Sequence, residues 1–307
     1  MMPEGAARDG QMVSNLIAQL RKFARGKRHF FGTMKRDPLA SEQRIIAEAF
    51  EALSRPQSAI VFTTHKCAST FIDKTFSKFE AHSEYVVRRY ARALGKMNSR
   101  LDVGSANEVF YARAYDRLFK ARGEIYVPHR KPVDFPGRAE FRHVFFLRDP
   151  RDVLVSAYYS FGFSHPLPGG VRVKHEFLEE RKRIQDQGID RYAIEASTHW
   201  LLPVYEEYRR FRETAAASIY LKYDDFKDDT EGFLWAVADF LEIELPQKTV
   251  QELAESASPV QAQVNVSRHK RSGRSGQYLH ELSSDTVEFL NTTFADILEY
   301  WEFKDPN

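Results

Sequence analysis

Two rhythms of apolar and polar positions run along the chain, and each change of rhythm marks an element. Val13, Leu16, Ile17, Leu20 and Phe23 share one helical face, while Arg21, Lys22, Arg25, Lys27 and Arg28 dominate the other. This predicts a basic amphipathic helix over 11–28. A second helix starts near Ser41, carries Ile45, Ile46, Ala49, Phe50 and Leu53, and stops before Arg55-Pro56. The pattern then becomes continuous and β-branched. Ser58–Thr63, Glu124–Val127, Arg142–Leu147 and Ser218–Tyr223 read as four short buried strands. Helical spacing returns after Thr70 with Phe71, Ile72, Phe76 and Phe79, then over 85–97, 106–121, 151–161, 174–186 and 189–213. Further helices hold Phe233, Val237, Phe240 and Leu241, then 247–256 and 284–299. Alternating strands and helices predict an α/β fold, a central mostly parallel sheet flanked by helices. One main domain is expected at 58–307, behind a helical extension at 1–57 packed on it. The Gly- and Pro-rich stretch 162–173 reads as a long loop, and 162–175 as a candidate lid.

Composition narrows the partners. The chain has 307 residues, 45 Lys+Arg against 43 Asp+Glu, and a net charge of +2. That balance does not suit a protein that tracks nucleic acid, and no nucleic-acid partner is expected. A single cysteine excludes an internal disulfide and a Cys-rich zinc site. No apolar run reaches the roughly 20 residues that span a bilayer, and MMPEGAARDG lacks the order of a signal peptide. A cytoplasmic location is therefore expected. The basic helix 11–28 leaves open a surface contact with membrane, beside the plainer reading of a helix docked by its apolar side.

Two segments carry chemistry. In Thr63-Thr64-His65-Lys66-Cys67-Ala68-Ser69-Thr70-Phe71, a strand ends in a short loop that opens a helix. Such a junction points backbone N–H groups at one spot beside a positive helix end, which suits an anion. Small residues at 67–69 let the backbone approach a phosphate, Ser69 and Thr70 offer hydroxyls, and Lys66 brings a mobile charge. A solvated lysine in an ordinary βα turn is the alternative. The triphosphatase pattern GxxxxGK[ST] is absent. In His143–Phe163 (HVFFLRDPRDVLVSAYYSFGF), a strand delivers Arg148 at its tip and the next helix carries Ser156 eight positions on. Eight residues are a little over two helical turns, so both can face one phosphate. Local ion pairs among Arg148, Asp149, Arg151 and Asp152 are the competing reading.

Together these segments resemble the cofactor signatures of the sulfotransferases that use 3'-phosphoadenosine 5'-phosphosulfate (PAPS). The first is similar to the 5'-phosphosulfate loop TxPKSGTTW, the second to the 3'-phosphate signature RxPxDVxVSxYY. A third, Arg271-Ser272-Gly273-Arg274-Ser275-Gly276-Gln277-Tyr278, is similar to the late RKGxxGDW loop. The resemblance spans roughly 58–300 and implies a P-loop-like phosphosulfate site. It implies Lys66 on the bridging oxygen and sulfonate, and the amides of Cys67, Ala68, Ser69 and Thr70 around the 5'-phosphate. It places Arg148, Ser156, Arg271, Ser272 and Gly273 on the 3'-phosphate, and Phe71 and Tyr223 on the adenine. His65 and Ala68 stand where Pro and Gly are usual. An alanine at 68 calls for an unstrained φ and a slightly different loop shape.

Sulfonate transfer to a hydroxyl also needs a base. In Tyr126-Val127-Pro128-His129, a His follows a strand at the place where the small-molecule branch holds its catalytic histidine. The resemblance thus implies His129 as general base, Lys66 as its catalytic partner, a small-molecule hydroxyl acceptor, direct in-line transfer without metal, and 3'-phosphoadenosine 5'-phosphate as product. A loop histidine beside Arg130 and Lys131 is the plainer reading. The glycan-modifying branch would draw its base from Glu80, His82 or Glu84. A nucleotide-dependent kinase and a non-catalytic nucleotide binder remain as other classes. The acceptor pocket is expected from 82–118, 162–175 and Tyr192–Trp200, with Tyr158, Phe161, Phe163 and Trp200 as candidate walls. Cys67, at a helix start, is a candidate for a lowered thiol pKa.

Overall fold

The computed structural model describes residues 40–101, 107–257 and 275–303. Contacts divide the chain into Met1–Pro56 and Gln57–Asn307. The first unit holds helix α1 (Ala40–Leu53), which ends just ahead of Pro56. The basic helix expected at 11–28 lies outside the described residues.

The second unit contains strands β1 (Ala59–Thr63), β2 (Val86–Arg88), β3 (Glu124–His129), β4 (Arg142–Leu147) and β5 (Ala217–Lys222). Its helices, in chain order, are α2 (Ser69–Ala81), α3 (Tyr90–Leu101), α4 (Asn107–Leu118), α5 (Pro150–Tyr159), α6 (Val171–Ala196) and α7 (Leu202–Thr214). Then follow α8 (Tyr223–Asp228), α9 (Thr230–Phe240), α10 (Gln247–Ala257), α11 (Tyr278–Glu281), α12 (Ser284–Thr293) and α13 (Ala295–Tyr300). The five strands form one parallel sheet in the order β2-β3-β1-β4-β5.

Alternation along each strand builds a core on both faces. Ala59, Val61, Ile125, Val127, Val144 and Phe146 point to one side, where α2, α8, α9 and α10 pack. Ile60, Phe62, Tyr126, Phe145 and Leu147 point to the other, covered by α4 to α7 and α11 to α13. Burial on both faces is why these strands read as continuous apolar runs.

One strand was not expected. Val86–Arg88 falls inside the helix expected over 85–97, but pairs with Glu124–Tyr126, and the helix begins at Tyr90. Three residues at a sheet edge are too few to show a period of two. The helix expected over 189–213 is likewise divided. A π turn at Ser197–Leu201 separates α6 from α7, while Gly188, at φ +77°, breaks α6 in the gap between the expected helices 174–186 and 189–213. Another π turn, Ser160–Ser164, occupies the start of the expected 162–173 loop, and α6 already begins at Val171. Among the described residues no helix is long and apolar enough to cross a membrane.

Buried His143 on β4 sets an acid limit on this core. Burial and then the Arg138 charge push its pKa from 6.5 down to about 4. The unfolded chain therefore takes a proton that the fold refuses, and stability present above pH 6.5 is lost as pH falls towards 4. We expect Tm to fall steadily over that window, and a His143→Phe variant to show a shallower slope in a pH series of thermal melts.

Candidate functional site

Strand order places the site. The chain runs from β1 to β2 and β3 on one side, then crosses to β4 on the other, so the carboxyl ends of β1 and β4 flank a topological switch point. Both chemical segments leave the sheet there.

From β1 the chain turns through Thr64–Ala68 into α2. Lys66 and Ala68 adopt left-handed backbone at φ +66° and +42°, a region that glycine enters at less cost. The unstrained alanine expected at 68 is therefore corrected. Ala68 precedes the first helical residue and gives no side-chain cap, which leaves the first turn of α2 without a capping acceptor. Ser69 is partly buried and Thr70 exposed. Cys67 turns inward instead. Its Sγ lies 3.5 Å from the Phe146 carbonyl, and burial pushes its thiol up to about 12. The low thiol pKa expected from the helix start is overturned by desolvation. Phe71 is also inward, its ring 4.8 Å from that of Phe226 and beside Phe233, so the structure gives it a core packing role rather than an open face for adenine.

At the tip of β4, Arg148 is buried and meets the loop directly. One Nη donates to the Lys66 carbonyl at 3.3 Å, the other lies 3.6 Å from Asp152, and the guanidinium covers the Tyr223 ring at 4.8 Å. Lys66, Arg148 and Tyr223 are thus brought together, with Ser156 partly buried on the same α5 that starts behind Arg148. Local ion pairs exist as well. Asp149 caps α5 by accepting from the Arg151 amide at 2.8 Å and pairs with the Arg151 guanidinium at 2.7 Å.

Arg271, Ser272 and Gly273 lie outside the described residues. The end of their segment is firmly held, however. The amides of Gly276 and Tyr278 donate to buried Asp152, and Ser275 bonds Asp224 and Lys227. Asp152 therefore joins the second segment to the third, a role sequence reasoning missed. The signal was present as the second Asp of Arg148-Asp149-Pro150-Arg151-Asp152.

Lys66 occupies the centre. Its Nζ donates to Ser160 Oγ at 3.1 Å. Burial first, then Arg148 and Arg130, push its pKa down to about 8. On the Arg130 side opens a cavity of about 600 Å³. Its apolar walls are Phe161, Phe177, Ile184, Tyr192, Trp200 and Val204. Of the expected pocket, Tyr192–Trp200 and Phe161 contribute, and α6 supplies most of the rest. Among the described residues none from 82–118 lines it. Tyr158 is core, and Phe163 packs on Tyr158 and Tyr159.

Two histidines line the cavity: the exposed His199, and His65, which is partly buried next to Lys66. The His65 ring meets the edges of Phe161 and Trp200, each 6.0 Å away. Burial, then the charges of Arg130, His165, Lys131 and Lys66, lower its pKa to about 3, so the ring is neutral at physiological pH. His129 is elsewhere. A register slip in β3 pairs Ile60 with Tyr126 but Phe62 with His129. The extra residue turns His129 to the face of Tyr126. There its ring packs among Phe62, Tyr111 and Phe119, and burial holds its pKa at about 4. The structure does not bring His129 to the cavity. Nor does it bring the three glycan-type candidates there. Glu80 accepts the Val87 amide at 2.9 Å, His82 meets Thr249 at 3.2 Å, and Glu84 is exposed.

A depressed lysine pKa means the fold disfavours the charge it holds at pH 7. Lys66→Met is expected to raise the Tm of the unliganded protein, read by calorimetry. Cys67 in the native protein should resist iodoacetamide at neutral pH and react only on unfolding, as mass spectrometry would show.

The sulfotransferase domain family model matches residues 56–302, most of the chain. No curated protein matches it significantly. Among solved structures, mouse sulfotransferase SULT7A1 complexed with PAP is 12% identical, at 81% coverage of this chain, 87% of that one, and a TM-score of 0.48. Retinol dehydratase in a complex with retinol and PAP is 15% identical, at 87% and 88% coverage and a TM-score of 0.48. A sulfotransferase from Alicyclobacillus acidocaldarius is 15% identical, at 81% and 95% coverage and a TM-score of 0.42. On the domain match, which takes in the β1 loop, the Arg148 helix and every wall of the cavity, the chain belongs to the sulfotransferase family.

Proposed function

We propose that the protein moves a sulfonate group from PAPS to a hydroxyl of a small molecule. One observation carries the reading: the loop of Lys66 is bonded by Arg148 through the Lys66 carbonyl, and the residue before it, His65, lines a partly apolar cavity with Arg130. The donor set fits a multiply charged anion. Lys66, Arg148, the uncapped start of α2 and the hydroxyls of Ser69 and Thr70 supply positive charge and donors without metal-ligand chemistry. PAPS supplies an activated sulfonate on a phosphate leaving group.

The residues divide the work as follows. Lys66 neutralises charge at the leaving oxygen. Arg148 and Ser156 hold the 3'-phosphate, with Arg271, Ser272 and Gly273 completing that contact, and Tyr223 faces the adenosine beneath Arg148. The amides of Cys67 to Thr70 cradle the 5'-phosphate. Phe161, Phe177 and Trp200 exclude water from the acceptor, and the cavity volume suits a small molecule rather than a polymer end. His65 takes the acceptor proton, because its neutral ring already lines the cavity next to Lys66. A base at His129 would require that ring to leave Phe62, Tyr111 and Phe119.

Two measurements test this. PAP should raise the Tm, and its affinity should fall as pH rises through about 8, because Lys66 loses the charge that attracts it. A Lys66→Met variant should bind PAP more weakly and lose that pH dependence; an unchanged profile would remove Lys66 from the site. In a screen of phenols and alcohols with PAPS, His65→Gln is expected to lower kcat by roughly 10²–10⁴, while His129→Phe keeps most turnover. The reverse pattern would return the base to His129.

A further inference from the structure

Charges around the cavity are not equally occupied. Arg183 pairs with Glu180 at 2.8 Å and Glu195 at 3.1 Å, which also neutralises the two acids of the wall. Arg181 donates to the carbonyls of Phe161 and His165 and covers the Phe177 ring. Arg130 is different. Its guanidinium lines the cavity, is partly buried, and has no hydrogen-bond or ion-pair partner among the described residues. Desolvating a cation without a counter-charge is costly, and burial already lowers its pKa.

Its position is fixed by backbone. Arg130 is the first residue beyond β3, and β3 ends opposite β1 with His129 paired to Phe62. The buried Tyr208 hydroxyl donates to the Arg130 carbonyl at 2.8 Å and lies 3.2 Å from the Thr63 carbonyl, at the root of the phosphate loop. Arg130 therefore leaves the sheet beside the loop that carries His65 and Lys66, on the cavity side of both. That seam is where a group passing from the loop to an acceptor must cross.

We infer that Arg130 is a catalytic residue that grips the sulfonate oxygens during transfer. The inference rests on the proposed function and adds a residue that neither sequence signature contains. In the transfer, the acceptor oxygen forms a bond to sulfur as the bond from sulfur to the phosphate oxygen breaks. The electron pair of the broken bond stays on that phosphate oxygen beside Lys66, and the acceptor proton goes to His65. Arg130 forms and breaks no covalent bond. Its guanidinium presents its donors to the three oxygens that carry the sulfonate charge. Tyr208 acts as a positioning residue.

PAPS and PAP differ only by the sulfonate, so their affinities isolate the contact. Isothermal titration of the full chain should show Arg130→Gln weakening PAPS by about tenfold or more while PAP stays within about twofold. Arg130→Lys should recover part of the PAPS affinity, and its own melt controls for folding. With any phenol or alcohol that the wild type turns over, Arg130→Gln should lower kcat by roughly 10²–10³ with little change in the acceptor KM. Equal losses for PAPS and PAP would overturn the inference and make Arg130 part of the nucleotide site. An unchanged PAPS affinity with a raised KM only for anionic acceptors would overturn it too, by assigning the guanidinium to the acceptor. Failure of the wild type to bind either nucleotide would instead refute the proposed function.

Discussion

The site depends on the parallel pairing of β1 with β4. Thr63 lies in register with Phe146, so the phosphate loop and Arg148 leave the sheet at the same height. Both strands are buried on both faces, and each large side chain so buried contributes about 1.5–3 kcal/mol. The register cannot slip by one residue without turning Phe62 and Phe145 into the opposite core. The hydrogen bond from Arg148 to the Lys66 carbonyl then closes the two exits on each other. A flexible loop is held by a rigid frame, which is the arrangement that keeps donors aimed before a ligand arrives.

Charge accumulates at this frame. Lys66, Arg130 and Arg148 converge with Asp152 as the buried acid beside Arg148. Asp152 is itself shared with two backbone amides, and burial raises its pKa. The depressed pKa values of Lys66 and His65 share their causes: burial first, and then the neighbouring cationic side chains. On the proposed reading a bound polyanion would offset the cost of burying cations there, a trade expected where binding rather than rigidity is selected. The near-zero charge of the whole chain hides this, because it averages a concentrated cationic seam over a salt-bridged surface.

Much of this was legible in the sequence, and the gaps have physical causes. Apolar runs identified β1, β3 and β4, since burial on both faces erases any competing pattern, and the partly buried β5 was marked by Ile219, Tyr220 and Leu221. Arg148, Lys66 and Tyr223 meet in the structure because each is tied to a strand end that the sequence marks. The edge strand Val86–Arg88 was too short to signal. His129 was misplaced because a single inserted residue in β3 reverses its face, and register is a property of the pair of strands, not of either one. Phe71, set on the adenine by the resemblance, is turned into the core by α2, and Cys67, just ahead of that helix, is buried there too. His65 was passed over as a mere departure from a proline, yet its imidazole lines the cavity, as does that of His199.

The break in α6 has a wider consequence. Phe177 to Gln187 line the cavity from the limb before Gly188, and Tyr192 to Ala196 from the limb after it. Added carbon at Gly188 would meet no neighbouring atom, but its φ of +77° is one that other residues adopt reluctantly. One backbone joint thus sets the angle between two walls of the cavity, at a distance along the chain from the β1/β4 frame. If the cavity holds the acceptor, as proposed, chemistry and appetite are mechanically separate: bending a single hinge would reshape the chamber for a different guest and leave the loop frame as it is.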